Sequence, residues 1–295
     1  MMRLENPVRT FVESIDACLA GITGNVELRK ALIKSKGDLL TVEPTYLQAA
    51  LRGELSTITA VDDDADEEAA IVGDLRRSDL IKLYEQYLVP KGKPGRRVYS
   101  DLLNAAREQC PFCGGIGTPK TLDHFLTKGK HPSFSVLPFN LVPSCRDCNM
   151  GEKGQVGASV AEEVLLQPYA DKDLFFNEQW IFSSYEADPS GEPGLLAYFV
   201  RTPEWWSAVD VARAEHHFKA FDLAHKYGLK AGRSAVTVMA QARAMIRKGL
   251  SHADIREVIL QPGIDSAPFS NHWQRGMYQS LCEYFSDGWV WNPGW

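Results

Sequence analysis

The chain has 295 residues, of which 44% are hydrophobic and 24% are charged, a balance typical of globular proteins with one large or a few small domains. No apolar run approaches the roughly 18 residues that a membrane helix needs, and the first residues lack the apolar core of a secretory signal, so we expect a cytoplasmic protein without membrane contact. The net charge of −6 excludes a chain that is basic throughout, as proteins that coat nucleic acid are.

The amino-terminal part of the chain predicts helices. Residues 7–58 begin with an amphipathic face made of Val8, Phe11, Val12 and Ile15. The acidic segment 61–69 interrupts this pattern and predicts a loop or linker. A second apolar stripe in 79–88, which includes Tyr84, predicts a helix that stops at Pro90. The basic Pro/Gly segment 90–97 predicts another linker, after which Ser100 is expected to cap a short helix over 101–109.

The carboxy-terminal part predicts a β-hairpin followed by helices. Two strand-like runs within 177–201 flank a loop rich in Pro and Gly. Helices are then expected from Thr202–Pro203 to Gly228, over about 233–248, from Ser251 to Pro262–Gly263, and over about 271–285.

Basic charge is concentrated in the middle of the chain. Residues 91–153 carry 10 Lys and Arg against 5 Asp and Glu. Residues 1–90 carry 10 against 16, and residues 154–295 carry 12 against 17. This distribution predicts a local phosphate-binding surface in the middle segment.

The middle segment also contains four cysteines in two C-x2-C pairs that are separated by 31 residues: Cys110, Cys113, Cys145 and Cys148. This spacing lets each pair bind one tetrahedral metal ion twice, which predicts a structural zinc site. A disulfide pair and an iron–sulfur cluster are the alternatives, and a disulfide is disfavoured in the cytoplasm. Because four thiolates leave no open coordination position, we expect this site to hold the fold rather than to catalyse.

Between and beside the cysteine pairs lie three polar positions at fixed spacing. Asp123–His124 occurs in TLDHFLT, Asn140 follows 16 residues after His124 in NLVPSC, and Asn149 lies 9 residues further on in CRDCNMGEKG. Over roughly residues 108–156, about a sixth of the chain, this pattern resembles the HNH endonuclease family of the stand-alone bacterial type. Many members have His where Asn149 stands, so the chain resembles the His–Asn–Asn variant.

The resemblance implies a ββα-metal fold in which Asp123 and Asn149 bind a catalytic Mg²⁺ or Mn²⁺ and His124 is the general base. It also implies that Asn140 hydrogen-bonds the backbone of the first strand and holds His124 in place. The chemistry of the residues agrees, because an imidazole can take a proton from water at neutral pH and oxygen ligands suit Mg²⁺. Neighbours on a regular strand point to opposite faces, so we expect the strand to end or kink at Asp123–His124.

Four basic residues in this segment are candidates for contacts with nucleic-acid phosphates: Lys128, Lys130, Arg146 and Lys153.

We therefore expect a mainly helical α+β protein in which a zinc-clamped ββα-metal unit is embedded between helical flanks and a β-hairpin follows it. The predicted regions are helical residues 1–90, the nuclease domain 91–157, and the hairpin and helices of 158–295. The predicted function is metal-dependent hydrolysis of DNA phosphodiester bonds, with duplex DNA as the substrate. Two alternatives stay open: a nuclease subunit of a bacterial defence or restriction assembly that needs a partner such as an ATPase, and a zinc-containing nucleic-acid-binding protein without catalysis.

Overall fold

The structure is a computed structural model, and it describes residues 1–62, 64, 66, 68–149, 160–188 and 194–286. The chain divides into two compact units. The first is Arg3–Lys172, and the second combines Met1–Met2 with Asp173–Trp295. The predicted regions 1–90 and 91–157 both fall in the first unit, which also contains the four cysteines. The assignment of separate functions to three regions of the chain stays a prediction.

The first unit consists mainly of helices. They are α1 (Phe11–Gly21), α2 (Val26–Leu40), α3 (Val42–Arg52), α4 (Arg77–Lys82), a π-helical segment (Leu83–Leu88) and α5 (Gly95–Asn104). Local sequence sets several ends. The Thr10 hydroxyl accepts from the Glu13 N–H at 3.2 Å, and the Glu13 carboxylate accepts from the Thr10 N–H at 2.8 Å, which is a capping box at the start of α1. Helix α3 ends at Gly53, whose φ of 73° favours glycine.

The core of the first unit forms where α1 packs against α5 and against the π-helical segment. Ile15 and Cys18 of α1, Leu83 of the π-helical segment and Leu102 of α5 are buried there. A short hairpin, β1 (Ala70–Val72) and β2 (Leu75–Arg76), precedes α4.

Two further strands form an antiparallel pair in the same unit, β3 (Thr121–His124) and β4 (Leu141–Ser144). Their register is regular from Thr121↔Ser144 to His124↔Leu141. The connecting segment contains two 3-10 turns, Pro132–Phe134 and Pro138–Asn140. Helix α5 packs against both strands.

The second unit contains an antiparallel hairpin, β5 (Ile181–Glu186) and β6 (Leu195–Val200). Its helices are α6 (Leu174–Asn177), α7 (Ala208–Ala220), α8 (Leu223–Arg247), α9 (His252–Ile255) continued by a π-helical segment (Arg256–Leu260), α10 (Gln261–Asp265) and α11 (Trp273–Tyr284). Helix α11 packs on β5 and α8 packs on β6. The buried Trp180 donates its indole N–H to the carbonyl of Phe175 at 2.9 Å.

Much of the predicted secondary structure is confirmed. The protein is α+β and mainly helical, 7–58 is helical, 177–201 contains a hairpin, and Ser251 and Asp254 form a capping box. The helix over 79–88 is present, although its second half is π-helical.

Four predicted helix ends are wrong. Helix α5 starts at Gly95 rather than after Ser100. A Cβ at Gly95 would lie 2.3 Å from the Tyr87 carbonyl oxygen, so this helix start requires glycine. Helix α7 starts after Ser207, whose hydroxyl accepts from the Asp210 N–H at 3.2 Å, and not at Thr202–Pro203.

Gly228 does not end a helix, since the break falls at Asp222, whose φ is 49°. Gly228 lies inside α8, where a Cβ would come 3.2 Å from the Leu196 carbonyl oxygen, so the glycine permits close packing on β6. The predicted end at Pro262–Gly263 is wrong, because α10 follows the π-helical segment directly and the helical path continues through both residues.

Within the part of the chain that the structure describes, no helix is both long and apolar enough to span a membrane.

Candidate functional site

Four buried thiols meet between the turn that follows α5 and the end of β4. The Sγ atoms of Cys110, Cys113, Cys145 and Cys148 all lie within 4.8 Å of one another. None of these side chains is more than 5% exposed. Sulfurs bound at about 2.3 Å to one tetrahedral zinc would be about 3.8 Å apart, so the cluster is close enough to bind a structural metal ion such as zinc.

The first cysteine pair lies in a tight turn, and a main-chain N–H of this turn donates a hydrogen bond to one of its sulfurs. The Cys110 N–H donates to the Gly117 carbonyl at 2.9 Å, and the Gly115 N–H donates to the Cys110 carbonyl at 2.9 Å. Gly114 and Gly115 have φ values of 59° and 84°, a region that favours glycine. The Gly117 N–H points at the sulfur of Cys113 at 3.3 Å. This arrangement is typical of a thiolate metal site, whose sulfurs accept from backbone amides.

Gly117 also lies against one cysteine of each pair, Cys113 and Cys145. A Cβ at this position would lie 2.5 Å from the Cys145 Sγ and 2.7 Å from the Cys145 Cβ. In turn, the Cys145 N–H donates to the Cys110 sulfur at 3.4 Å, which ties the second pair to the first. The cluster therefore depends on the absence of a side chain at Gly117.

Hydrogen bonds among the four thiols shift their pKa values in opposite directions: those of Cys145 and Cys110 are lowered, whereas those of Cys148 and Cys113 are raised. Hydrogen bonds from the neighbouring thiols, Cys110 first, hold the pKa of Cys145 far below its ordinary value. A metal ion binds the deprotonated sulfur, so a low pKa at one position lowers the cost of the first proton release. The donor set of four soft, buried sulfurs fits zinc.

Strand β3 carries Asp123 and His124, and burial alternates along it. Thr121 is exposed and Asp123 half-buried, whereas Leu122 and His124 are buried. Asp123 and His124 therefore leave the strand on opposite faces. As expected, the strand ends at His124, and the chain bends at the next residue, Phe125.

His124 is oriented by a main-chain carbonyl. Its Nε2 lies 2.9 Å from the oxygen of Ser135, a residue in the segment between β3 and β4. A carbonyl can only accept, so Nε2 carries the proton in this hydrogen bond. In the neutral imidazole the lone pair is then on Nδ1. The edge of the ring also contacts Tyr84, with ring centroids 4.3 Å apart and planes at 69°.

Asn140 holds the chain just beyond His124. Its Oδ1 accepts from the Leu126 N–H at 2.7 Å, and its Nδ2 donates to the carbonyls of Leu126 at 3.0 Å and Phe134 at 3.1 Å. The side chain is fully buried, and the residue ends the 3-10 turn that leads into β4 rather than lying on the strand itself. The resemblance implies this kind of contact with the backbone near His124, while a part in catalysis stays a prediction.

Asn149 lies beside the other end of β3. Its Nδ2 donates to the Thr121 hydroxyl at 2.8 Å, and its N–H donates to the Cys145 carbonyl at 3.0 Å, as in a helical turn. Thr121 and Asp123 share a face of β3, so Asn149 is on the side of the strand that carries the carboxylate. With Nδ2 turned to Thr121, the amide oxygen of Asn149 points away from the strand hydroxyl and is the atom that suits Mg²⁺.

Comparison with known proteins finds a relative of similar length. Protein ea31 of Escherichia phage lambda is 40% identical to the chain over 292 residues, which cover 96% of this chain and 97% of that protein. The chain belongs to the Ea31 family. No protein-family model matches the chain, and no solved structure matches it.

In this member of the Ea31 family, the basic side chains that are candidates for phosphate binding lie in different environments. The Lys128 ammonium lies 2.6 Å from a carboxylate oxygen of Glu85 and 5.8 Å from the ring centroid of Tyr84. Lys130 is half-buried and its carbonyl accepts from the Val61 N–H at 2.8 Å, whereas Arg146 is exposed. Lys153 lies outside the described residues. Contact of these side chains with phosphate stays a prediction.

Two contributions to the site were not predicted from the sequence of this Ea31-family chain. Tyr84 is part of the apolar stripe in 79–88, and nothing in that pattern indicates its contact with His124. Gly117 occurs in a stretch with two other glycines. The only indication of its role in the sequence is that it lies four residues after Cys113.

Proposed function

We propose that this protein is a metal-dependent endonuclease of the HNH type, acting on DNA, in which His124 is the general base. The observation that supports this most is the hydrogen bond from His124 Nε2 to the Ser135 carbonyl. It fixes the tautomer that has its lone pair on Nδ1, as a base that takes a proton from water requires. Asp123, which carries a carboxylate, directly precedes His124 on β3.

In this proposal Asp123 and the amide oxygen of Asn149 would hold a Mg²⁺ or Mn²⁺ ion. Two hard oxygen donors on one side of β3 fit such an ion. When bound, the metal supplies positive charge to the phosphate in the transition state. The proposal requires one phosphate to meet both Asp123 and His124 at this strand end, although the two side chains leave β3 on opposite faces.

The four cysteines have a structural part in the proposal, with zinc as the ion they bind. The cluster joins the turn before β3 to the segment after β4, and Asn149 directly follows Cys148. A small ββα unit buries little apolar surface, so the metal would supply the rigidity that keeps Asn149 beside β3. Elemental analysis is expected to find one zinc per chain. Cys145→Ser should abolish it, and Cys282→Ser, outside the cluster, should retain it.

Cleavage of supercoiled plasmid in Mg²⁺ or Mn²⁺ tests the assignment. His124→Ala should lower the rate by roughly 10²–10⁴-fold, the usual contribution of a general base. His225→Ala, which removes an exposed histidine of α8, is the matched control and should cut like the unmodified protein. Equal cutting by the His124 variant eliminates the proposal.

Parallel assays with duplex DNA, single-stranded DNA and RNA define the substrate. Tight DNA binding without cleavage in any divalent metal would favour a zinc-containing nucleic-acid-binding protein. Cleavage that begins only after addition of a co-purifying ATPase would favour a subunit of a defence or restriction assembly.

A further inference from the structure

Tyr84 reaches His124 from the π-helical segment Leu83–Leu88, which lies far from β3 in the sequence. In this segment the Val89 N–H donates to the Tyr84 carbonyl at 3.0 Å, an i to i+5 hydrogen bond. The widened turn changes the direction of the side chains relative to a regular continuation of α4. Single π-turns inside helices are frequent at functional sites.

The hydroxyl of Tyr84 is attached to the strand that carries His124. It donates to the Leu122 carbonyl at 3.2 Å, and the Leu122 N–H donates to the hydroxyl of Tyr99 in α5 at 3.3 Å. Leu122 lies opposite Pro143 at a non-hydrogen-bonded position of the β3–β4 ladder, so its main-chain groups point away from β4. Two tyrosine hydroxyls therefore satisfy both main-chain groups of the residue that precedes Asp123–His124.

Tyr84 stays protonated, which its role as a donor requires. Burial is the largest cause that raises the pKa of this phenol above its ordinary value, followed by the neighbouring Tyr99 and then by the carboxylates of Asp123 and Glu85. A neutral hydroxyl thus donates to Leu122 throughout the pH range in which a histidine base operates.

The ring of Tyr84 limits the orientation of the imidazole. The contact is edge-to-face at 4.3 Å between centroids, close to the short end of the range for such pairs. The hydrogen bond from Nε2 to the Ser135 carbonyl fixes one end of the imidazole, but rotation about that bond would still tilt the ring plane. Packing against Tyr84 opposes this tilt, so the two contacts together fix the direction of Nδ1.

We propose that Tyr84 is a positioning residue for His124: its ring sets the orientation of the imidazole, and its hydroxyl anchors β3 through Leu122. The catalytic consequence rests on the proposed function, whereas the orientation of the imidazole does not. Glu85, which follows Tyr84, pairs with Lys128. The same π-helical turn thus contacts both the histidine and a candidate phosphate-binding lysine.

Substitutions at Tyr84 separate the ring from the hydroxyl. Tyr84→Phe keeps the ring, and Tyr84→Leu removes it. Tyr87→Leu is the matched control, because Tyr87 is a buried tyrosine of the same π-helical segment whose ring lies under Lys93. Zinc content and circular dichroism confirm that each variant is folded.

The first measurement is the imidazole NMR spectrum of ¹⁵N-labelled protein, which needs no nuclease activity. The Nε2–H signal of His124 is expected to persist in Tyr84→Phe and in Tyr87→Leu, and to broaden or vanish by exchange with solvent in Tyr84→Leu. An unchanged His124 signal in Tyr84→Leu would overturn the proposal, whether or not the protein cuts DNA.

The second measurement is the kinetics of cleavage. Tyr84→Leu should lower kcat on the order of 10²-fold, as expected for a misplaced reacting group, with KM within about twofold of the unmodified enzyme. Tyr84→Phe should restore most of kcat. If the unmodified protein cuts and Tyr84→Leu cuts equally well, the inference fails alone. If the unmodified protein does not cut, the proposed function fails and the imidazole spectrum still decides the role of Tyr84.

Discussion

Asn140 and Leu126 are joined by two hydrogen bonds, one from the Leu126 N–H to Oδ1 at 2.7 Å and one from Nδ2 to the Leu126 carbonyl at 3.0 Å. The amide thus pairs with the main chain of Leu126 as a residue of a neighbouring strand would. A third bond, from Nδ2 to the Phe134 carbonyl, ties in the loop between β3 and β4. One buried side chain therefore fixes the path of the chain on both sides of that loop.

Asn140→Ala is expected to destabilise the first unit, because it leaves three buried main-chain groups without their partner. Each such group costs about 1–3 kcal/mol, so the free energy of unfolding should fall by at least about 2 kcal/mol. Urea denaturation followed by circular dichroism measures the change. Asn104→Ala, at an exposed position of α5, should change it by less than about 0.5 kcal/mol. Equal stability of the two variants would contradict this account of Asn140.

Gly117→Ala is expected to weaken zinc binding, since its Cβ would overlap the Cys145 sulfur at 2.5 Å. The affinity should fall by about tenfold or more, as measured by competition with a chromophoric chelator. Gly24→Ala is the control, because a Cβ there meets no atom within 4 Å. The explanation would be abandoned if the two alanine variants bound zinc equally well.

Glu85→Gln is expected to strengthen DNA binding, because it releases Lys128 from an ion pair of 2.6 Å at the proposed site. Fluorescence anisotropy at several salt concentrations should show tighter binding. The slope of log K against log salt concentration should be steeper by about one, which corresponds to one more phosphate contact. Glu27→Gln makes the same change in net charge, and its partner Lys30 lies on α2. A matching gain in the Glu27 variant would show that net charge, not Lys128, is responsible.

The stability of the second unit should depend on pH through His272. Burial first, and then the amino-terminal charge and Lys230, lower the pKa of this imidazole to about 4. The unfolded chain takes up the proton below about 6.5, whereas the folded chain stays neutral until about 4. Protonation therefore favours unfolding, and the free energy of unfolding should fall by up to about 3 kcal/mol between pH 6.5 and pH 4.

His272→Asn tests this dependence. The His272 side chain also caps α11 by accepting from the Gln274 N–H at 3.3 Å, and asparagine can keep that hydrogen bond without titrating. Urea denaturation at pH 7 and pH 4.5 should show a smaller pH effect in His272→Asn than in His225→Asn, whose histidine is exposed. Identical pH effects would remove His272 as the cause.

Much of the local structure could be predicted because its causes lie within a few residues. The capping boxes at Thr10 and Ser251 and the paired strands of 177–201 follow from side chains near each element. The wrong helix ends have a different origin. Gly228 has the low helix propensity of a terminator, but its place in α8 is decided by the close approach of β6.

The sequence by itself determined which chemical groups this protein can bring to a site: two cysteine pairs at metal-binding spacing, a carboxylate next to an imidazole, and two asparagines. Only the tertiary structure decided how these groups are held, by the Ser135 carbonyl and the Tyr84 ring at His124, by Leu126 at Asn140, and by the close approach of Cys145 to Gly117, which leaves no room for a side chain there. The physical reason is that spacing along the chain fixes contacts within a turn or a strand. Contacts between distant segments depend instead on packing that the whole unit determines.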